Sequence, residues 1–89
     1  PHIGEKIDFA PGYSLARVKA PASFNEKTLV ELQLRQKYNV NLVAIKRSEN
    51  AEDENGKIIN VPMPQTVIYE NDIMMIAGYD GDLAKLPQE

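Results

Sequence analysis

The chain has 89 residues, 43% of them hydrophobic and 26% charged, which suits one soluble folded domain with a single core. A net charge of −3 provides no positive field to hold a nucleic-acid backbone or an anionic membrane surface. With no cysteine and a single histidine, His2, thiolate or multi-histidine metal sites and histidine catalysis are not expected, and a reducing, cytoplasmic compartment fits.

Residues 1–12 mix charge with Pro11 and Gly12 and are expected to be a linker with one short extended stretch, leading into a domain at 13–89. A chain opening on Pro1 predicts a piece of a longer protein. Residues 13–18 alternate Tyr13, Leu15 and Arg17 against Ser14, Ala16 and Val18, a strand that Ala20-Pro21 ends. Ser23 stands three residues before Glu26, the spacing of a capping box, with Asn25 as a rival cap. Leu29 with Leu32, and Val30 with Leu34 and Tyr38, recur at helical spacing, so a helix is predicted through 28–38. Asn39 follows it where a helix commonly turns left-handed.

Residues 40–45 are apolar apart from Asn41 and end in Lys46-Arg47, a second strand expected to be buried on both faces. The stretch 48–57 carries Glu49, Glu52, Asp53 and Glu54 and closes on the turn signal Asn55-Gly56, so 57–61 should return as a hairpin arm. Pro62 and Pro64 then remove two backbone donors. Residues 69–72 read as a tight turn with Asn71 at positive φ, 73–78 as a central strand, and 80–86 as a short closing helix. The fold class is α+β: a β-α-β-β-β lobe with a terminal helical turn, its mixed sheet packed on one main helix. The apolar runs reach only about five residues, far short of the ~20 that a helix needs to cross a bilayer.

Chemistry-bearing patterns are sparse. Neither Gly-x-Gly-x-x-Gly nor a phosphate loop is present, and Ser14, Ser23 and Ser48 have no nearby base, so catalysis is not expected. Glu52, Asp53 and Glu54 are consecutive, unlike the alternating carboxylates of a calcium loop, and read as a solvated turn. Lys46-Arg47 is either a solvated strand end or an anion site, in which an arginine fork grips phosphate oxygens. Asn60 is either an edge residue or an amide able to read an adenine edge.

Two stretches carry a family resemblance. Phe24-Asn25-Glu26-Lys27-Thr28-Leu29-Val30-Glu31-Leu32-Gln33-Leu34-Arg35 followed by Tyr38-Asn39-Val40-Asn41-Leu42-Val43-Ala44-Ile45-Lys46-Arg47 resembles the "GKTL-x-EL-x-LR…YGV-x-VVAI-x-R" run of TrkA-C domains. Pro62-x-Pro64 followed by Ile68-Tyr69-Glu70-Asn71-Asp72-Ile73-Met74-Met75-Ile76-Ala77-Gly78 resembles that family's ending. The similarity runs from about Tyr13 to Leu86. Asn25, Asn39 and Asn71 stand where glycines are common, a replacement that asparagine's tolerance of positive φ permits.

These domains are the C-terminal lobes of RCK (regulator of potassium conductance) proteins, and the sequence is most similar to the KtrA-type cytosolic gating subunits of bacterial potassium uptake systems. The resemblance implies a homodimer with no cofactor that holds cyclic di-AMP across its two-fold axis. The implied ligand positions are Asn41 and Leu42 at the start of the second strand, Arg47 at its end, and Ile59, Asn60, Val61 and Pro62. It further implies an upstream Rossmann-like RCK domain and a membrane channel or transporter subunit as partners, with the lobe itself binding no nucleic acid and inserting in no membrane. The alternatives are a ligand-free dimerisation lobe, and the same sensor in a cation/proton antiporter or a transcription regulator.

Overall fold

The computed structural model describes residues 3–47 and 56–89; the acidic stretch expected to form a solvated turn falls outside them, apart from its last two residues, as does His2. The described elements are β1 (Ile3–Ala10), β2 (Tyr13–Lys19), a 3-10 turn (Ala22–Phe24), β3 (Lys27–Thr28), α1 (Leu29–Leu32), α2 (Leu34–Tyr38), β4 (Asn41–Arg47), β5 (Lys57–Ile59), β6 (Val67–Ile68), β7 (Ile73–Tyr79) and α3 (Asp80–Leu83). Five strands form one sheet in the order β1-β2-β7-β4-β5, and β3 pairs with β6 apart from it.

Every pairing is antiparallel, which corrects the expectation of a mixed sheet. The crossover from β2 through the helices does run β4 in the same direction as β2. The two never meet, because β7 inserts between them and hydrogen-bonds to both. Residues 73–78 are therefore central, as their apolar run predicts. The segment 1–12 is not a linker with one short extended stretch: Ile3–Ala10 is an eight-residue edge strand paired along its length with β2. Its register slips twice, between Ile3 and Glu5 and between Asp8 and Ala10, and such irregularities hide a strand from a period-two reading.

Alternation fixes the core. Ala16 and Val18 on β2, Ile45 on β4, and Met74 and Ile76 on β7 share the covered face at 0% exposure. Phe24, Leu32, Leu34, Val40, Ile68, Leu83 and Leu86 close over them. The expectation that the second strand is buried on both faces fails, since Asn41 and Val43 are exposed. Helices cover only one side, and an antiparallel sheet tolerates an open second face.

The helical region is two short helices rather than one. Gln33 adopts left-handed φ and ψ of 48° and 51°, ending α1 and starting α2, at a cost of roughly 1–2 kcal/mol for a residue with a Cβ. The cap is Thr28 and not Ser23 or Asn25. The Thr28 hydroxyl accepts from the Glu31 N–H at 3.2 Å while the Glu31 carboxylate accepts from the Thr28 N–H at 3.0 Å, and that backbone hydrogen bond, with the Thr28 hydroxyl, holds the Glu31 pKa below its ordinary value. Ser23 to Glu26 has the same spacing, but Glu26 donates its N–H to the Ile68 carbonyl at 2.7 Å and holds φ at 64°. The left-handed position therefore belongs to Glu26, with Asn25 at a φ of −58°. Asn39 and Asn71 do take positive φ, 58° and 73°.

Candidate functional site

Pro62-Met63-Pro64 lies against the start of α1. The Pro64 carbonyl accepts from the Val30 N–H at 3.1 Å and the Thr66 carbonyl from the Leu29 N–H at 3.0 Å. With the Thr28 hydroxyl on Glu31, the first three donors of the helix, which have no intrahelical partner, are satisfied. A segment that lacks donors at two positions is thus used for its acceptors. The loop is closed on itself by the Met63 N–H donating to the Thr66 hydroxyl at 2.9 Å and the Thr66 N–H to the Met63 carbonyl at 2.9 Å.

Between this proline wall and the helices lies a cavity of about 440 Å³. Leu29, Leu34, Val40 and Leu42 give it an apolar lining, Pro62, Met63 and Pro64 another side, and Gln33, Arg35 and Gln36 its polar groups. The nearby apolar surface is open: Val30, Val61 and Met63 are 55%, 65% and 57% exposed. Exposed apolar side chains gathered around a concavity mark an interaction site rather than ordinary surface.

Of the residues expected to bind ligand, Leu42 and Pro62 line this cavity. Ile59 packs half-buried against the core, paired with Ile45 across the β4–β5 ladder, and Asn60 and Val61 follow it as exposed residues leading to Pro62. Asn41 is separated from them. It pairs with Ala77, next to the inward Leu42–Ile76 pair, and lines a second cavity. Pleating sends neighbouring residues to opposite faces, so Asn41 and Leu42 line different cavities of the chain.

Arg47, at the end of β4, is tied into the fold. Its Nε donates to Asp72 Oδ1 at 3.0 Å and its Nη2 to Asp72 Oδ2 at 2.8 Å and to the Val67 carbonyl at 2.7 Å. The guanidinium also lies 4.9 Å from the Tyr69 ring centroid. Asp72 is 1% exposed and receives the Tyr69 N–H at 2.9 Å as well. A buried carboxylate needs a partner charge, and the Nε–Nη2 edge of the Arg47 guanidinium supplies it. The Asp72 hydrogen bond raises the Arg47 pKa further, so the cation is permanent. Sequence reasoning missed Arg35, the cation that does line the first cavity. Its signal was position: it directly follows the buried Leu34 at an exposed place on the second helix.

A model of the TrkA-C domain matches residues 14–87. The chain belongs to the TrkA-C domain family. Two relatives are Ktr system potassium uptake proteins A and C of Bacillus subtilis (strain 168). The first is 29% identical over 83 residues, covering 93% of this chain and 34% of that protein; the second is 29% identical over 84 residues, covering 94% and 35%. This TrkA-C lobe thus spans about a third of the length of the relatives it matches. Among solved structures, the RCK C domain of the potassium transport protein KtrA in complex with cyclic di-AMP superposes with a TM-score of 0.71 at 28% identity, over 85% of this chain and 81% of that one. The GsuK RCK domain gives a TM-score of 0.71 at 23% identity over 94% of this chain and 17% of that one, which shows the shared fold.

Proposed function

We propose that this TrkA-C lobe is the non-catalytic, ligand-sensing part of a cytoplasmic gating protein for potassium transport, and that two copies hold one cyclic di-AMP between their Leu42/Pro62 cavities. The observation that carries the reading is the cavity: an apolar cleft beside a rigid diproline wall, with exposed apolar side chains around it. The ligand bound to the similar KtrA domain supports the same chemistry. Cyclic di-AMP is itself two-fold symmetric, so an isologous interface presents every contact twice. In this arrangement Leu42, Ile59, Val61 and Pro62 offer apolar contact to a purine, and the Asn60 amide answers its polar edge. Arg35 supplies one cation for each phosphate, while Arg47 positions the end of β4 through Asp72.

Such a ligand controls transport by binding one dimer arrangement more tightly than another, and its leverage is limited to that difference, typically about 1–3 kcal/mol. An upstream Rossmann-like domain and a membrane subunit complete the mechanism. Calorimetry tests the proposal: saturable heat with cyclic di-AMP at one ligand per two chains is expected, and a tenfold or greater loss in Arg35→Ala. No heat at micromolar protein would leave a dimerisation lobe without ligand.

A further inference from the structure

On the opposite face of β4 from the proposed dinucleotide cavity, the ends of β1, β2, β7 and β4 enclose a second cavity of about 500 Å³ lined by Phe9, Tyr13, Asn41, Ala77, Tyr79 and Asp82 among others. Three aromatic rings form a bent wall along it. Phe9 and Tyr13 have centroids 6.3 Å apart, and Tyr13 and Tyr79 stand edge to face at 5.6 Å and 60°. They remain 62%, 46% and 50% exposed, so the rings pack on each other without being covered.

The Tyr79 ring is held in place by backbone. A Cβ at Gly81 would come within 2.8 Å of its Cε2, so a larger residue there would displace the ring, and the Gly12 backbone lies in contact distance of its other edge, a Cβ there falling 3.4 Å from Cε1. Gly12 is also at a φ of +81°, which a side chain would resist. A preset ring loses little freedom when something binds against it.

Charge decides the occupant. Among the described residues, Asp82 is the one charged group lining the cavity, its side chain 16% exposed. Its Oδ2 accepts from the Asn39 amide at 3.1 Å, which orients the carboxylate, and Lys85, 70% exposed, stands 3.5 Å from Oδ1. Aromatic faces beside a carboxylate repel phosphates and attract a cation with apolar bulk. We infer that this cavity is a binding site for a small organic ammonium ion, seated against the Phe9, Tyr13 and Tyr79 rings with its charge toward Asp82. It shares no residue with the dinucleotide arrangement proposed above, which leaves out Asn41, so the two readings stand or fall separately.

The test is a backbone amide NMR titration of the 89-residue chain with choline, with its uncharged isostere 3,3-dimethylbutan-1-ol and with sodium chloride at matched ionic strength. Choline should give saturable shifts at Asn41, Ala77, Gly78 and Tyr79, and the alcohol should bind about fivefold more weakly for want of the cation–π and carboxylate attraction. Asp82→Asn keeps the shape and the Asn39 contact and should weaken choline about fivefold while leaving the alcohol unchanged; Phe9→Ala, at an exposed position, should weaken both. Equal affinity for choline and the alcohol, no saturable shift, or unchanged choline binding in Asp82→Asn would overturn the inference. Shifts that follow protein concentration instead of choline would assign the face to a second copy and overturn it too.

Discussion

The two ends of β4 are put to different uses. At its far end Arg47, a cation closing an apolar strand, is forked onto the buried Asp72 and the Val67 carbonyl. At its near end Leu42, an apolar residue with no polar chemistry, opens with Pro62 into the cleft that Arg35 also lines. The cation at the strand end thus has a part in the fold, and the cleft is marked by apolar surface left uncovered. A functional group is recognised by what it has not already satisfied.

This contrast is sharpest in Arg47→Ala. Removing one partner of a buried pair leaves Asp72 uncompensated, which costs about 3–5 kcal/mol, so thermal unfolding should show a large drop in Tm before any ligand is added. A variant that keeps its Tm but loses cyclic di-AMP would place Arg47 in the site instead. Val61→Asp is the complementary lesion. Val61 is exposed, so stability should hold within about 0.5 kcal/mol. Affinity for cyclic di-AMP should fall at least about tenfold, because a charge enters an apolar contact next to phosphates. Equal losses of stability in the two variants would erase the distinction between the ends.

Smaller effects sharpen the comparison at the cavity rim. Gln33→Gly relieves a left-handed residue and should stabilise the chain by up to about 1 kcal/mol in urea unfolding, unless the kink is held by something other than backbone strain. Away from β4, the Ser14 hydroxyl stands 2.6 Å from Asp80 Oδ1 and 2.8 Å from Asp8 Oδ1. That hydrogen bond first, with Lys6 adding to it, holds the Asp80 pKa below its ordinary 3.8. A depressed carboxylate pKa stabilises the fold above the ordinary value, and the contribution is lost as pH falls through the folded one. The stability gap between wild type and Ser14→Ala should therefore be full at neutral pH and narrow below about pH 4; a gap unchanged at pH 3 would contradict the assignment.

The regular strands were legible because their burial has period two, as in Ser14, Ala16 and Val18. The helical stripe placed residues 28–38 correctly, but the break at Gln33 was not legible, since left-handed positions are signalled by glycine or asparagine and here the fold imposes one on glutamine. The cap was expected at Ser23 or Asn25 and is Thr28, because the contact of Glu26 with Ile68 draws the preceding residues out of the helix. The partner of Arg47 lies 25 residues away, beyond any local pattern. The aromatic cavity likewise joins Phe9, Tyr13 and Tyr79 from three strands, each unremarkable alone. Leu42 and Pro62, named through the family resemblance, line one cavity although they lie 20 residues apart in the chain. Asn41, joined to Leu42 by the resemblance, lines a different cavity because a strand sends adjacent residues to opposite faces.

The most direct test of the account is calorimetric titration of cyclic di-AMP into this chain and its Arg35→Ala and Val61→Asp variants, with sedimentation of the same samples. The account predicts one ligand per two chains, a dimer with ligand bound, and at least about tenfold weaker binding in both variants at unchanged Tm. Binding at one ligand per monomer, or affinity indifferent to both substitutions, would contradict it.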